Sequence, residues 1–284
     1  MKTRIPVVLA VLCVAACGRA TPPPAATEIA AVPRVSLPED PSDPAWKELP
    51  SFDAALLLQD MVEPRLLEPS IASVRVQAAS DGRRLAFRLA WDDPTLDDEL
   101  RPGGFSDACA VQLPVAVQPD VPAPQMGEAG KPVEIVLWRA AWQATVDGRP
   151  DTLEALYPRA SIDHYPFEAP PLAESSDRQR EMAALYSPAR ALENDMSGPR
   201  EKPVQQLIAA GPGTLERAAT NAAEGRGLRD TKGWSVVIST PVPTGLADGA
   251  RTQVAIAVWN GSHGEVGARK MRSAWIPLLL EARP

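Results

Sequence analysis

Residues 254–275 read VAIAVWNGSHGEVGARKMRSAW, and the first six of them decide the fold. Val254, Ile256 and Val258 alternate with their neighbours, the period-two pattern of a strand that buries one face. Asn260-Gly261 opens a turn, a glycine-punctuated loop carries His263, Glu265 and Lys270, and residues 271–280 resume as a strand containing Trp275 and Ile276. A lysine at a loop end is by itself a surface charge. A second stretch far upstream changes its meaning: Pro124-Gln125-Met126-Gly127-Glu128, followed by the apolar run at 133–138. Methionine offers a soft thioether and a buried neutral lysine offers a nitrogen. Met126 and Lys270 are therefore candidate ligands to the two sides of a haem iron.

The alternation recurs on both sides of these stretches. Residues 71–79 and 84–91 flank Ser80-Asp81-Gly82, with Val74, Val76 and Ala78 on one side and Leu85, Phe87, Leu89 and Trp91 on the other. Asp-Gly between such runs predicts a hairpin. Pro94 ends the second strand, because proline cannot donate to a ladder. Residues 105–117 form a further strand, interrupted by Pro114, in which Cys109 is a small buried hydrophobe. Residues 145–230 are rich in proline, glycine and charge. They are expected to form a long excursion over the sheet, with helical patches near 177–186 and 214–223 and no strand. Strands resume at 234–239 and 252–259. Short alternating strands joined by turns predict a mainly β protein, an antiparallel β-sandwich with a helical and loop excursion.

The start of the chain has a different character. Lys2 and Arg4 precede an apolar run at 7–16 that is too short to span a bilayer, so residues 1–16 read as a signal peptide. Val14-Ala15-Ala16-Cys17 resembles the bacterial lipoprotein cleavage box, which predicts acylation of Cys17 and a protein lipid-anchored in the cell envelope, facing the periplasm. Residues 17–44, rich in proline and alanine, read as a disordered tether, and 45–284 as one domain. With Cys13 removed and Cys17 lipidated, Cys109 stands alone of the three cysteines, so no intrachain disulfide and no cysteine-ligated iron–sulfur cluster is expected. There is no Cys-x-x-Cys-His, so a haem would be held without thioether bonds. A net charge of −7 argues against a nucleic-acid partner.

In order, Asp43-Pro44-Ala45-Trp46, the hairpin ending FRLAWDD, FSDACAVQLP, PQMGEAGKPVEIVLWRAAWQ and VAIAVWNGSHGEVGARKMRSAWIPL resemble the haem-b-binding gamma subunit of ethylbenzene dehydrogenase. Its relatives include the dimethylsulfide, selenate and chlorate enzymes. The resemblance runs from about Trp46 to Leu280. It implies a β-sandwich that holds one haem b between a methionine and a lysine, at the positions of Met126 and Lys270. It also implies an electron-transfer subunit without a catalytic site of its own. Such a subunit passes electrons between an iron–sulfur subunit beside a molybdenum enzyme and a periplasmic acceptor such as a c-type cytochrome. The chain departs from the family in its expected lipid tether and in the 145–230 excursion, which carries no family motif.

Other readings of the same residues stay open at this stage. A lone methionine is more often a gap-filler in a core. His263 rivals Lys270, because imidazole is the commoner haem ligand, although its polar turn predicts a solvated ring. His164, between Asp163 and Tyr165, is expected in a solvated loop, and Lys131 lies too close to Met126 to reach an opposite face. The seven tryptophans are expected in the core. Exposed, they would make a sugar-stacking platform, so the alternative is a lipid-anchored carbohydrate- or ligand-binding sandwich without haem; a structural envelope lipoprotein is the third reading. Glu128, Glu134 and Glu265 make no glycosidase pair by spacing. With no nucleophile–base set or phosphate loop visible, the chain is not read as an enzyme.

Overall fold

The computed structural model describes residues 26–101, 103–150, 155, 157–159, 176–186, 191–192, 194 and 200–283. In chain order the strands begin with β1 (Ile29–Pro33), β2 (Phe52–Ala55), β3 (Leu57–Leu58), β4 (Ser73–Ser80) and β5 (Arg84–Asp92). They continue with β6 (Ala108–Pro114) and β7 (Val133–Arg139), which runs into the helix α1 (Ala140–Val146). After the helix α2 (Asp177–Tyr186) come β8 (Val204–Ala209), β9 (Glu216–Arg217), β10 (Glu224–Arg229) and β11 (Gly233–Pro241). The last are β12 (Arg251–Trp259), β13 (Met271–Arg272) and β14 (Ile276–Leu280). The hydrogen-bonded order β10-β11-β5-β4-β1-β14-β12-β6-β7-β8-β9 makes one large sheet that curls into a sandwich-like, mainly β fold. Pairings between these strands are antiparallel except those of β1, which runs parallel to both β4 and β14.

Strand β12 joins the two halves of the curl. Residues 251–254 pair with β14, whereas 255–259 pair with β6 and, on the opposite edge, Ala257 and Val258 pair with β13. Its inward residues Val254, Ile256 and Val258 pack with Val74, Val76, Leu85, Phe87, Leu89, Cys109, Val111 and Trp138 in the main core. The Trp138 and Trp234 rings meet edge-on at 5.0 Å, binding β7 to β11 across that core. The outward residues Ala257 and Trp259 of β12 belong to a second apolar cluster, with Ala108, Ala110, Ile135, Leu137 and Leu207.

Residues 271–280 are not one continuous strand. Arg272 pairs with Ala257 but Ile276 pairs with Val254, so one extra residue is inserted between them, a β-bulge. Ser273 fills the break: its Oγ accepts from the Ile256 N–H at 2.9 Å, while its own N–H donates to the Ile256 carbonyl at 2.8 Å. The insertion returns Ile276 to the core face and leaves Trp275 on the outer face, where its Nε1 donates to the Pro122 carbonyl at 2.7 Å.

The 145–230 stretch contains α2 as expected, but also three strands. Strand β8 pairs with β7 and β10 with β11, and the anticipated helix at 214–223 is replaced by β9 and a loop. The apolar alternation fails in β8 because Gln205 and Gln206 are buried there. Gln206 donates to the Glu134 carboxylate at 2.6 Å and accepts from the Ala222 N–H at 2.8 Å, so its burial is compensated. In β10, Gly227 lies against Trp138, where a Cβ would come within 2.2 Å of the indole. Of the expected tether, residues 29–33 are instead β1, with Ile29 and Ala31 buried in the main core. The signal segment, Cys17, His164 and Tyr165 lie outside the described residues.

Because Ile29 is buried in the main core, Ile29→Ala removes buried side-chain volume. Urea unfolding is expected to show a loss of about 2–4 kcal/mol. A loss within error of zero would return residues 26–33 to the tether.

Candidate functional site

The outer face of β8, β7, β6, β12 and β13 brings together the two residues expected as ligands. Register aligns Arg139 with Ala108 and Ala108 with Trp259. One pleat along, Leu137, Ala110 and Ala257 line up across the same three strands and Arg272 of β13 extends the row. Alternation thus places alanines in the middle of this face and long side chains at its edges. The short floor leaves a cavity of about 640 Å³, whose walls include Met126, Lys270, Arg139, Arg272, Trp259 and Glu265. That size suits a cofactor-scale ligand. Phe105, Val62 and Leu215 close over it from three separate loops.

Met126 is held in place by its backbone. Its φ of 67° makes it the sole non-glycine residue with positive φ among the described residues. A residue with a Cβ adopts that region at a cost of about 1–2 kcal/mol. The surroundings enforce it: the Met126 carbonyl accepts from the Gly211 N–H at 2.8 Å, and the Gly127 N–H donates to the Ala123 carbonyl at 2.9 Å. Gly127 has φ 78°, and a Cβ there would lie 2.9 Å from the Lys131 carbonyl oxygen and 3.0 Å from that of Ala209. Gln112 of β6 donates to the Pro124 carbonyl at 3.1 Å. A loop clamped at so many points carries Met126 onto the second apolar cluster.

Lys270 enters from the other side. Its carbonyl accepts from the Gln59 N–H at 3.0 Å, and the buried Gln59 amide donates to the Ala268 carbonyl at 3.0 Å. The Trp259 Nε1 donates to the Gly267 carbonyl at 3.0 Å, and the Lys270 Nζ lies 5.0 Å from the centre of the Trp259 ring. Burial lowers the Lys270 pKa from 10.5 to about 8, and the neighbouring Arg272 charge pushes the same way. Among the described residues no carboxylate pairs with Nζ. A lysine so placed gives up its proton more readily than an exposed one and then presents a nitrogen lone pair. A thioether and a nitrogen donor in the wall of one cavity, with the small Ala108 between longer side chains, fit a metallo-cofactor.

Buried acids brace the loop before Lys270. Glu265 is 1% exposed; its Oε2 accepts from the Asn260 N–H at 3.0 Å, and burial raises its pKa. Asp107 accepts from the Gly261 N–H at 2.9 Å and the Trp234 Nε1 at 3.0 Å, yet burial still lifts its pKa to about 7.

Other sequence candidates fall elsewhere. His263 is exposed at the end of the turn Gly261–His263 and lines no part of the cavity. Lys131 pairs with Glu128 at 3.2 Å outside the cavity wall. Six tryptophans are buried and Trp275 is partly buried, so no fully exposed indole platform exists among the described residues. Sequence reasoning missed Arg139 and Arg272 as cavity residues. The signal was present in the parity of Ile135, Leu137 and Arg139, which share one face of β7.

Residues 43–271 match the family model described as Ethylbenzene dehydrogenase. A relative from Haloferax mediterranei, named "Putative respiratory nitrate reductase heme subunit ORF7", is 27% identical over 245 residues, covering 84% of this chain and 67% of the relative. Two solved structures of a carbohydrate binding module family 9 from Caldicellulosiruptor kristjanssonii, one with cellotriose and one with glucose, each align over 90% of this chain. They do so over 94% and 96% of their own lengths, at 8% identity and TM-scores of 0.43 and 0.39.

The lowered Lys270 pKa has a measurable sign. Between about pH 8 in the folded chain and about 10.4 in the unfolded chain, the unfolded state binds more protons, so stability rises with pH through that window. In ligand-free protein, urea unfolding is expected to show a gain from pH 8 to about 10 that is larger by about 1–3 kcal/mol than in Lys270→Met. Equal slopes in the two proteins would mean that Lys270 stays charged in the fold.

Proposed function

The chain belongs to the ethylbenzene dehydrogenase family, and from that premise we propose that it is a haem-b electron-transfer subunit of a larger oxidoreductase, with Met126 and Lys270 as axial ligands. The observation that carries the reading is the convergence of these two side chains, distant in sequence, on the walls of one cavity. The name of the Haloferax mediterranei relative, a heme subunit, supports the same cofactor.

Bound haem b supplies a one-electron carrier without a substrate site. The chain's own residues prepare the cavity for it. The clamped loop fixes Met126 before binding, so little conformational entropy is lost there on coordination. Lys270 releases the proton on Nζ when it becomes a ligand, and burial beside Arg272 makes that release easier. Ala108 keeps the floor short, while Ile135, Leu137 and Leu207 in the same wall exclude water around it. The partners in this reading are an iron–sulfur subunit beside a molybdenum enzyme and a periplasmic acceptor such as a c-type cytochrome. The catalytic centre resides in the partner enzyme. The protein resides in the cell envelope, anchored by lipid on Cys17.

Two measurements test this. Lys270→Ala and Met126→Ala are each expected to open one coordination position and turn a low-spin spectrum high-spin, while His263→Ala changes nothing. A low-spin spectrum kept in Lys270→Ala and lost in His263→Ala would transfer the ligand role to the histidine. Cys17→Ala is expected to move the protein from the membrane to the soluble fraction with its absorbance unaltered; a wild-type protein found soluble with a free Cys17 would remove the anchor.

A further inference from the structure

We infer that Arg139 and Arg272 receive the carboxylates of whatever occupies this cavity, so that the site selects an apolar body carrying two acidic groups. The inference rests on the haem reading above and deepens it by naming what the cavity grips beyond the iron.

Arg139 and Arg272 reach the cavity from β7 and β13, the strands on either side of the β6–β12 floor. Burial pushes the Arg139 pKa down, with no neighbouring carboxylate acting against that shift. Its guanidinium lies 4.8 Å from the centre of the Trp142 ring, and it donates no side-chain hydrogen bond among the described residues. The Arg272 Nε is buried with no acceptor among the described residues, and its charge is felt by Lys270. The acids in the wall do not compensate them. Glu63 pairs with Arg65 at 2.7 Å, and Glu265 faces the Asn260 N–H with its pKa raised by burial.

Several other arginines of this chain are paired with carboxylates, although the Arg269 Nε, like that of Arg272, is buried without an acceptor among the described residues. Arg149 meets Asp98 at 2.8 Å, Arg251 meets Glu28 at 2.8 Å, and Arg226 meets Asp40 at 3.2 Å. Arg139 and Arg272 are both partly buried, arginine keeps its charge there, and a charge that loses part of its water without gaining a partner is a cost to the fold. Two such groups in the wall of one apolar cavity are explained by a ligand that brings the missing charges. The guanidinium fork matches a carboxylate with two parallel hydrogen bonds.

The experiment compares haem b with its dimethyl ester, which keeps iron, ring and axial positions but blocks both carboxylates. Full-length protein freed of haem is titrated with each form, followed by absorbance. Wild type is expected to bind the ester about 100-fold or more weakly, with the same low-spin spectrum at saturation. Arg139→Gln and Arg272→Gln are each expected to weaken binding of the free acid about tenfold or more and to leave binding of the ester unchanged. Equal affinity of wild type for both forms overturns the inference while leaving haem binding intact, and this needs no variant to fold. Variants that lose both forms alike would show the arginines to be structural, which also overturns it. Binding of neither form by wild type would bring down the haem reading together with this one.

Discussion

The molecule depends on the two unlike faces of Arg251–Trp259. One face carries Val254, Ile256 and Val258 and has to be covered by the rest of the sheet. The other carries Ala255, Ala257 and Trp259 and is covered only in part. Because side chains alternate with period two, a slip of one residue would put alanines into the main core and valines onto the cavity floor. The strand also pairs with β14, β13 and β6, so its register sets both halves of the curl together. Fold and cavity are consequences of the same alternation.

Two local irregularities convert that floor into a site. The bulge at Ser273 changes the parity of the last strand segment, so Arg272 and Trp275 both stand on the outer face while Ile276 returns inward. Trp275 then supports the Pro122 end of the loop that carries Met126. The left-handed backbone at Met126 is the second irregularity, and Gly127 beside it is required by two carbonyl oxygens that leave no room for a Cβ. Strain of this kind survives only where neighbouring contacts over-determine it.

Much of this was legible in the residues. The Asp-Gly hairpin, β7, β12 and the burial of Cys109 followed from alternation and turn chemistry. Met126 and Lys270 were singled out by donor type and order, and the structure brings them to one cavity. Strands β8 and β10 were illegible because Gln205, Gln206, Gly225 and Gly227 replace the apolar residues that mark a strand. Those positions depend on long-range partners, Glu134 and Trp138, that no local window contains. Strand β1 hid in an alanine- and proline-rich stretch whose composition suits a tether equally well. The bulge left no mark, since it appears only when two registers are compared. Arg139 and Arg272 went unnoticed as cavity residues because long cations near strand ends ordinarily extend into solvent.

The docking of β1 between β4 and β14 also sets a reach. Had the chain been loose as far as residue 44, a lipid on Cys17 would have let the domain range about 90 Å from the bilayer. With Ile29 fixed in the sheet, eleven residues separate it from Cys17, a span of at most about 40 Å. A copy anchored as proposed would stay in a thin layer next to the membrane, with the Ile29 end of β1 turned toward the anchor. Under the proposed function, a redox partner would then have to present its own centre within that layer.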